Sequence, residues 1–418
     1  MAEGYVHVLA PQDVPADKPL LGKAWRPLFI VSLVVGVAAL AVSYLLGMQA
    51  GDQLRRFFFS YLTALCYGVS LGLGALFFVI LQHLTRASWS VVIRRVAELL
   101  AALLPLLGLL ALPIIIAMLG GDNGLYFWGN PALADGSSPQ FDELVAHKAG
   151  YLNVGFFSIR MVAYFVIWGL LSWHFLGRST RQDGSGDARL TLGMWRLSAP
   201  AMLLFALTLT GFTIDAVMSL DAHWFSTIIG AYFFAGCALC FLAVTTLSIM
   251  LLQLSGRMRR TVTVEHYHDL GKLLFAFTLF WGYIAFSQFM LYWYANIPEE
   301  TGWYLRRFSG EWLWWSVALL FVQLLIPLAG LLSRYVKRRK RFLAFWCVWL
   351  LIAHYMDLYW LIMPEYGGEG IPFGALDVLC LVGVLALMLA AWALLARRRP
   401  LVPLGDPALA DSLRFENV

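Results

Sequence analysis

"RFLAFWCVWLLIAHYMDLYWLIM", residues 341–363, is apolar almost throughout, yet it carries His354 and Asp357 three residues apart. About 20 apolar residues in a row is the length of helix that crosses a hydrocarbon core of about 30 Å. Ionisable side chains are expensive inside such a run, and they face a bundle interior or water rather than lipid. The stretch therefore reads as a transmembrane helix packed among other helices, with two titratable groups turned inward.

Working outward from it, runs of the same kind fill the chain. Of 418 residues, 61% are hydrophobic and 13% charged, and the mean hydropathy is +0.73. A soluble chain carries about a quarter charged residues. Ten spans are predicted near 27–49, 57–83, 97–119, 151–176, 196–220, 225–254, 271–297, 311–335, 341–363 and 374–396. The fold class is an all-α polytopic membrane protein. Residues 1–26 form an extramembrane arm, 27–399 the ten-helix domain and 400–418 a tail. The first residues lack the basic, apolar, small-residue order of a cleaved signal peptide.

Charge is distributed unequally between the two sets of loops. The arm and the loops after spans two, four, six and eight hold Lys18/Lys23/Arg26, Arg86/Arg94/Arg95, Arg178/Arg181/Arg189/Arg196 and Arg257/Arg259/Arg260/Lys272. The densest run is "RYVKRRKR" (334–341), and Arg397 to Arg399 follow the last span. The opposite loops offer Arg55, Arg56, Lys148, Arg306 and Arg307. Basic loops stay inside, so both termini are expected to be cytoplasmic. The basic run serves as a topological anchor and on that reading calls for neither nucleic acid nor anionic lipid. The longest outer loop, "GGDNGLYFWGNPALADGSSPQFDELVAHKAGY" (120–151), has interface-type aromatics and could also dock an outside partner.

A faint repeat relates the halves. "LQHLTR" (81–86) closes span two and "LQLSGR" (252–257) closes span six, while Asp215 and Asp357 lie toward the outer ends of spans five and nine. Four helices separate the members of each pair, an even number, so the halves are parallel repeats about an axis along the membrane normal. This predicts two four-helix bundles, spans two to five and six to nine, with spans one and ten peripheral. The small residues of "GVSLG" (68–72) permit close helix contact.

The intramembrane polar residues fall mainly in the outer half. Arg160 lies about nine residues, or about 13 Å, inside span four. Asp215 lies near the end of span five, Gln288 and Tyr292 share a face of span seven, and Asp377 opens span ten. His354 and Asp357 are about 60° apart around span nine, near enough for one side chain to reach the other. His83 and His174 sit at inner span ends, where an interfacial histidine needs no special role. In "TIDAVMSLDAHWFSTIIG" (213–230), Asp221 and His223 form a candidate proton-uptake point, although Asp221 serves equally well as the N-cap of span six. For each of these groups, helix-to-helix hydrogen bonding is the competing structural role.

Cofactor classes are narrowed by what the sequence lacks. Cys66, Cys237, Cys240, Cys347 and Cys380 all fall in apolar runs and read as core residues. There is no haem-attachment motif, phosphate-binding loop or dinucleotide fingerprint, and His354 has no partner histidine at matching depth for a haem. Redox centres are therefore expected in partner chains or on a lipid-soluble carrier.

Three stretches resemble one family: "HKAGYLNVGFFSIRMVAYF" (147–165), "DAVMSLDAHWFSTIIG" (215–230) and "HDLGKLLFAFTLFWGYIAFSQFMLYWYANIPEETGWY" (268–304). They are similar to the NrfD/PsrC-like membrane subunits of alternative complex III, the ActF type above all. The resemblance implies two four-helix bundles and membership of a quinol:cytochrome c (or quinol:oxidase) oxidoreductase. It also implies an ActC-type sister subunit, iron–sulfur and haem c subunits and a terminal oxidase as partners. Quinone or quinol, as menaquinone or ubiquinone, would be the only cofactor near this chain. His354, Asp357, Asp215 and Arg160 would serve a quinol pocket or a proton path, since quinol oxidation releases protons that a base must accept. Two other classes fit the same residues: a proton-coupled secondary transporter, and a subunit that only anchors its partners.

Overall fold

The computed structural model describes residues 10–52, 54–121, 124–368 and 370–417. Residues 1–9 of the expected arm and Val418 of the tail lie outside the described residues. Ten helical units are long and apolar enough to cross a membrane: Gly22–Gln49, Arg55–Leu84, Val91–Leu119, Val154–Ser185, Ala188–Leu220, Ile229–Leu254, Val264–Ala295, Gly310–Leu332, Lys340–Glu365 and Ala375–Ala396. They keep the numbering one to ten. The described residues contain no strand.

The predicted pair of bundles is present. Spans two, three, four and five pack in a closed ring, and six, seven, eight and nine in another. Spans two and six form the seam between the rings, with five against six and nine against two. Exchanging the two rings maps these last two contacts onto each other, as the repeat requires. Spans one and ten pair on the outside and lean on span two. Their seam follows from small residues: span one buries only Ser32, Gly36, Ala39, Ser43 and Gly47, one every three or four positions. A Cβ at Gly36 would lie 2.8 Å from Leu387, and one at Gly383 2.6 Å from Leu40, so the backbones approach where side chains are missing.

Span ends are set by local chemistry. The Asn153 side chain accepts the Phe156 N–H at 2.9 Å and starts span four, which ends at Gly186 in the left-handed region (φ 62°). Asp187 then caps span five through the Arg189 N–H at 2.9 Å. Span three is two helices, Val91–Ala101 and Leu104–Leu119, because Pro105 has no N–H to continue the ladder. Span eight widens into a π-turn at Leu320–Leu325 just ahead of Pro327, for the same reason.

Two readings need correction. Span three begins at Val91 rather than near residue 97, so Arg94 and Arg95 are not loop charges but buried helical ones. Arg95 donates to Glu98 (2.9 Å), Asp183 (2.8 Å) and Ser179 (3.0 Å), while Arg94 pairs with Asp406 of the tail. Buried polarity is thus not confined to the outer half. Each arginine needs a carboxylate there because an unpaired charge in the interior is prohibitive.

The arm and tail are likewise built into the protein. Asp17 accepts the Arg260 and Thr261 N–H groups, both at 2.8 Å, and Met258 N–H donates to the Asp17 carbonyl at 2.8 Å. Leu401 N–H donates to the Pro19 carbonyl at 2.7 Å, so both ends of the chain meet on one face. That face, here the terminal face, carries the basic clusters; the opposite one is the distal face.

Candidate functional site

The site is assembled where span nine meets the seam. His354 and Asp357 are each 1% exposed. The His354 Nε2 lies 2.9 Å from the Ser70 hydroxyl of span two, inside the small-residue stretch 68–72. A Cβ at Gly236 of span six would stand 2.5 Å from the imidazole Cε1, so that glycine is what admits the ring. The Tyr67 ring lies 5.5 Å from it. The Asp357 carboxylate accepts the Tyr232 hydroxyl at 2.5 Å and the Trp281 indole N–H at 3.1 Å. The His354 Nδ1 has no hydrogen-bond partner and faces the Asp357 Oδ2 across 4.0 Å. The two residues therefore confront each other without bonding.

Arg160 and Asp215, predicted on separate spans, are brought together. The guanidinium makes paired bonds of 2.8 and 2.9 Å to both carboxylate oxygens, and Tyr164 adds a hydroxyl at 2.8 Å. The Arg160 Cζ also lies 3.7 Å from the Tyr151 ring centroid. Fork-on-fork pairing of this kind fixes geometry as well as charge. The repeat thus carries one aspartate per bundle, each with a tyrosine hydroxyl; only Asp215 has an arginine, and Asp357 has neutral donors alone.

The remaining candidates belong to the distal face. Asp221 is not the N-cap of span six, which begins at Ile229. It folds back onto the His223 N–H at 3.0 Å and pairs with Arg306. The His223 Nε2 bonds Asp142 at 2.7 Å. Burial pushes the Asp142 carboxyl up, but the Val145 N–H, His223 and the Leu144 N–H outweigh it and hold Asp142 below its usual range. Gln288 accepts from Ser226 at 3.1 Å and donates to Tyr304 at 3.3 Å, and Tyr292 donates to the Phe225 carbonyl. Those two residues tie down the loop before span six rather than line a pocket with His354. Asp377 closes on Arg56 at 2.5 Å and on Ser60 at 2.9 Å.

Several participants are invisible in the sequence. Ser70, Tyr232, Trp281 and Gly236 come from three other spans; Ser70 lies in the small-residue stretch 68–72, and nothing local marks the other three. Glu98 did have a signal, since "RRVAELLA" (94–101) spaces it three and four residues from two arginines. The helix Pro298–Arg307 on the distal face was read as loop; its Arg307 donates to the Trp360 and Leu361 carbonyls at 3.1 and 2.8 Å and to Glu365 at 3.0 Å. Burial lowers Arg307 to about 10 against the pull of Glu365, which leaves it a cation that caps the end of span nine. Asp357 lies about 5–6 Å along the helix from the capped carbonyls.

No protein-family model matches the sequence, and no curated protein matches it.

Proposed function

We propose that the chain is the membrane subunit of a quinol-oxidising respiratory complex, and that its His354–Asp357 site moves protons or bonds a quinol. The observation that carries this reading is the contrast between the two aspartates. Asp215 is locked to an arginine, whereas Asp357 sits at the seam of the bundles with neutral donors and an imidazole nitrogen left open 4.0 Å away. A buried acid facing a buried base with no fixed cation is the arrangement that can accept and release a proton. The likeness of the 147–165, 215–230 and 268–304 stretches to alternative complex III subunits supplies the complex: iron–sulfur and haem c partners on the distal face, and a sister membrane subunit beside it. The basic terminal face then lies in the cytoplasm, and the membrane is a bacterial inner one.

A secondary transporter is less well supported. Its sign is a pair of broken helices at corresponding places in two repeats. Here the interrupted spans are three and eight, which do not correspond under the repeat.

Asp357→Asn tests the proposal in the assembled complex, since it keeps the shape and removes the titrating group. Assembly should be intact while quinol turnover, or protons moved per electron, falls. Normal values of both in the intact variant complex would remove this site.

A further inference from the structure

Between spans six and nine, where both reach the terminal face, an open groove of about 600 Å³ remains. Its upper wall is apolar, with Leu251, Leu254 and Ala344 among the residues, and its rim carries Arg259, Lys340 and Arg341. No acidic residue lines it. The rim is built rather than incidental. Gln253, 7% exposed, receives the Tyr267 hydroxyl at 2.8 Å and the Lys340 ammonium at 2.5 Å, and donates to the Met258 and Val262 carbonyls at 2.9 and 2.8 Å. This holds Lys340 in place, while Arg259 Nε donates to the Gln253 carbonyl at 3.3 Å. Arg341 is exposed and has no ion-pair partner among the described residues. The nearby carboxylate, Glu265, is already engaged by Arg338.

Leu254 ends span six and Lys340 begins span nine, so the three cations stand at the level where lipid phosphates lie. We propose that this groove binds one anionic phospholipid, with its phosphate among Arg259, Lys340 and Arg341 and an acyl chain along Leu251, Leu254 and Ala344. Charge selects the occupant: three cations without a facing carboxylate favour a headgroup of net negative charge over a zwitterionic one. The apolar wall distinguishes a lipid from a free anion, because only a lipid supplies tail and phosphate together.

The test uses the purified full chain in neutral detergent, titrated separately with dioleoylphosphatidylglycerol, dioleoylphosphatidylcholine and inorganic phosphate. Thermal midpoint and lipid retained after gel filtration are the readouts. Phosphatidylglycerol should raise the midpoint and stay with the chain, and the other two should not. Arg259→Gln with Arg341→Gln removes two of the three cations and spares Lys340, which Gln253 anchors. That variant should keep its lipid-free midpoint and bind phosphatidylglycerol about thirty-fold more weakly. Equal phosphatidylglycerol binding by variant and parent would overturn the proposal. So would equal binding of phosphatidylcholine, or equal stabilisation by inorganic phosphate, which would leave an anion site only. Occlusion of Arg341 by a partner subunit in the assembled complex would also overturn it.

Discussion

Gly236→Ala is the smallest change that reaches the site without touching a polar atom. The added methyl carbon would stand 2.5 Å from the His354 Cε1 and 2.9 Å from its Nδ1. Carbon atoms rest about 3.5 Å apart at closest comfort, so the ring must retreat by about 1 Å. A shift of that size is enough to spoil the 2.9 Å bond to Ser70 and to change the 4.0 Å separation from Asp357. In stability terms the opposing effects nearly balance. Alanine favours a helix by about 1 kcal/mol over glycine, whereas overpacking a core costs about 1–3 kcal/mol. A net loss of about 0–2 kcal/mol is expected, small beside the functional effect. Misplacing a reacting group by about 1 Å can cost about a hundred-fold in rate. Gly72→Ala is the control: its methyl would meet Leu104 at 2.8 Å, a slightly milder crowding than the 2.5 Å at Gly236 and with no titratable neighbour. Thermal unfolding of the purified chain and quinol turnover of the assembled complex should be compared for both. Turnover lost in Gly236→Ala and kept in Gly72→Ala is the expected pattern; equal turnover in the two variants would refute the placement of His354 in the chemistry.

Other outcomes follow from the ion pairs. Arg160→Met, which strands the buried Asp215, should cost about 3–5 kcal/mol in thermal or denaturant unfolding, and adding Asp215→Asn should recover part of it rather than sum with it. The Asp142 carboxyl is held below its unfolded value, so its contribution is complete above the ordinary carboxylate range and is lost as pH falls through the lower folded value. The protection factors of amides in the Glu143–Lys148 helix, which Asp142 caps, should therefore be high at neutral pH and fall in acid, and Asp142→Asn should flatten that response. Asp406→Asn, in a tail outside the bilayer, should lower the thermal midpoint because it takes a carboxylate from buried Arg94; an unchanged midpoint would show that the pair contributes nothing.

The fold was largely legible, for physical reasons that the errors make plain. Hydropathy located ten spans because lipid leaves a helix no other solution. It misplaced the start of span three because charge counts against a span, while Arg94 and Arg95 enter with Glu98 already at helical spacing and meet Asp183 and Asp406 from far along the chain. The two bundles were foreshadowed by the placement of Asp215 and Asp357, a long-range pattern that survives in sequence. At the site, His354, Asp357, Asp215 and Arg160 announced themselves as costly residues in apolar runs. Ser70, Tyr232 and Trp281 did not, because a serine, tyrosine or tryptophan in a membrane helix is unremarkable until a neighbour needs its proton. Asp221 was readable as a polar residue between spans five and six, but it is buried there, and its partner Arg306 lies on a helix too short and too charged for hydropathy to register.

The clasp between the chain ends bears on how the protein is made. Asp17 and Pro19 leave the ribosome first, yet the groups that hold them are on residues 258–261 and 401. Asp17 must therefore wait until span six has been made, Pro19 until all ten spans have been made, and Arg94 waits as long as Pro19 does, for Asp406. Closure comes only when the tail has emerged. A chain that stalls or is cut before residue 400 leaves the Pro19 carbonyl without its Leu401 donor and Arg94 without Asp406. The Leu401 and Asp406 contacts that fasten the folded protein thus form, during synthesis, only after the last span has been made.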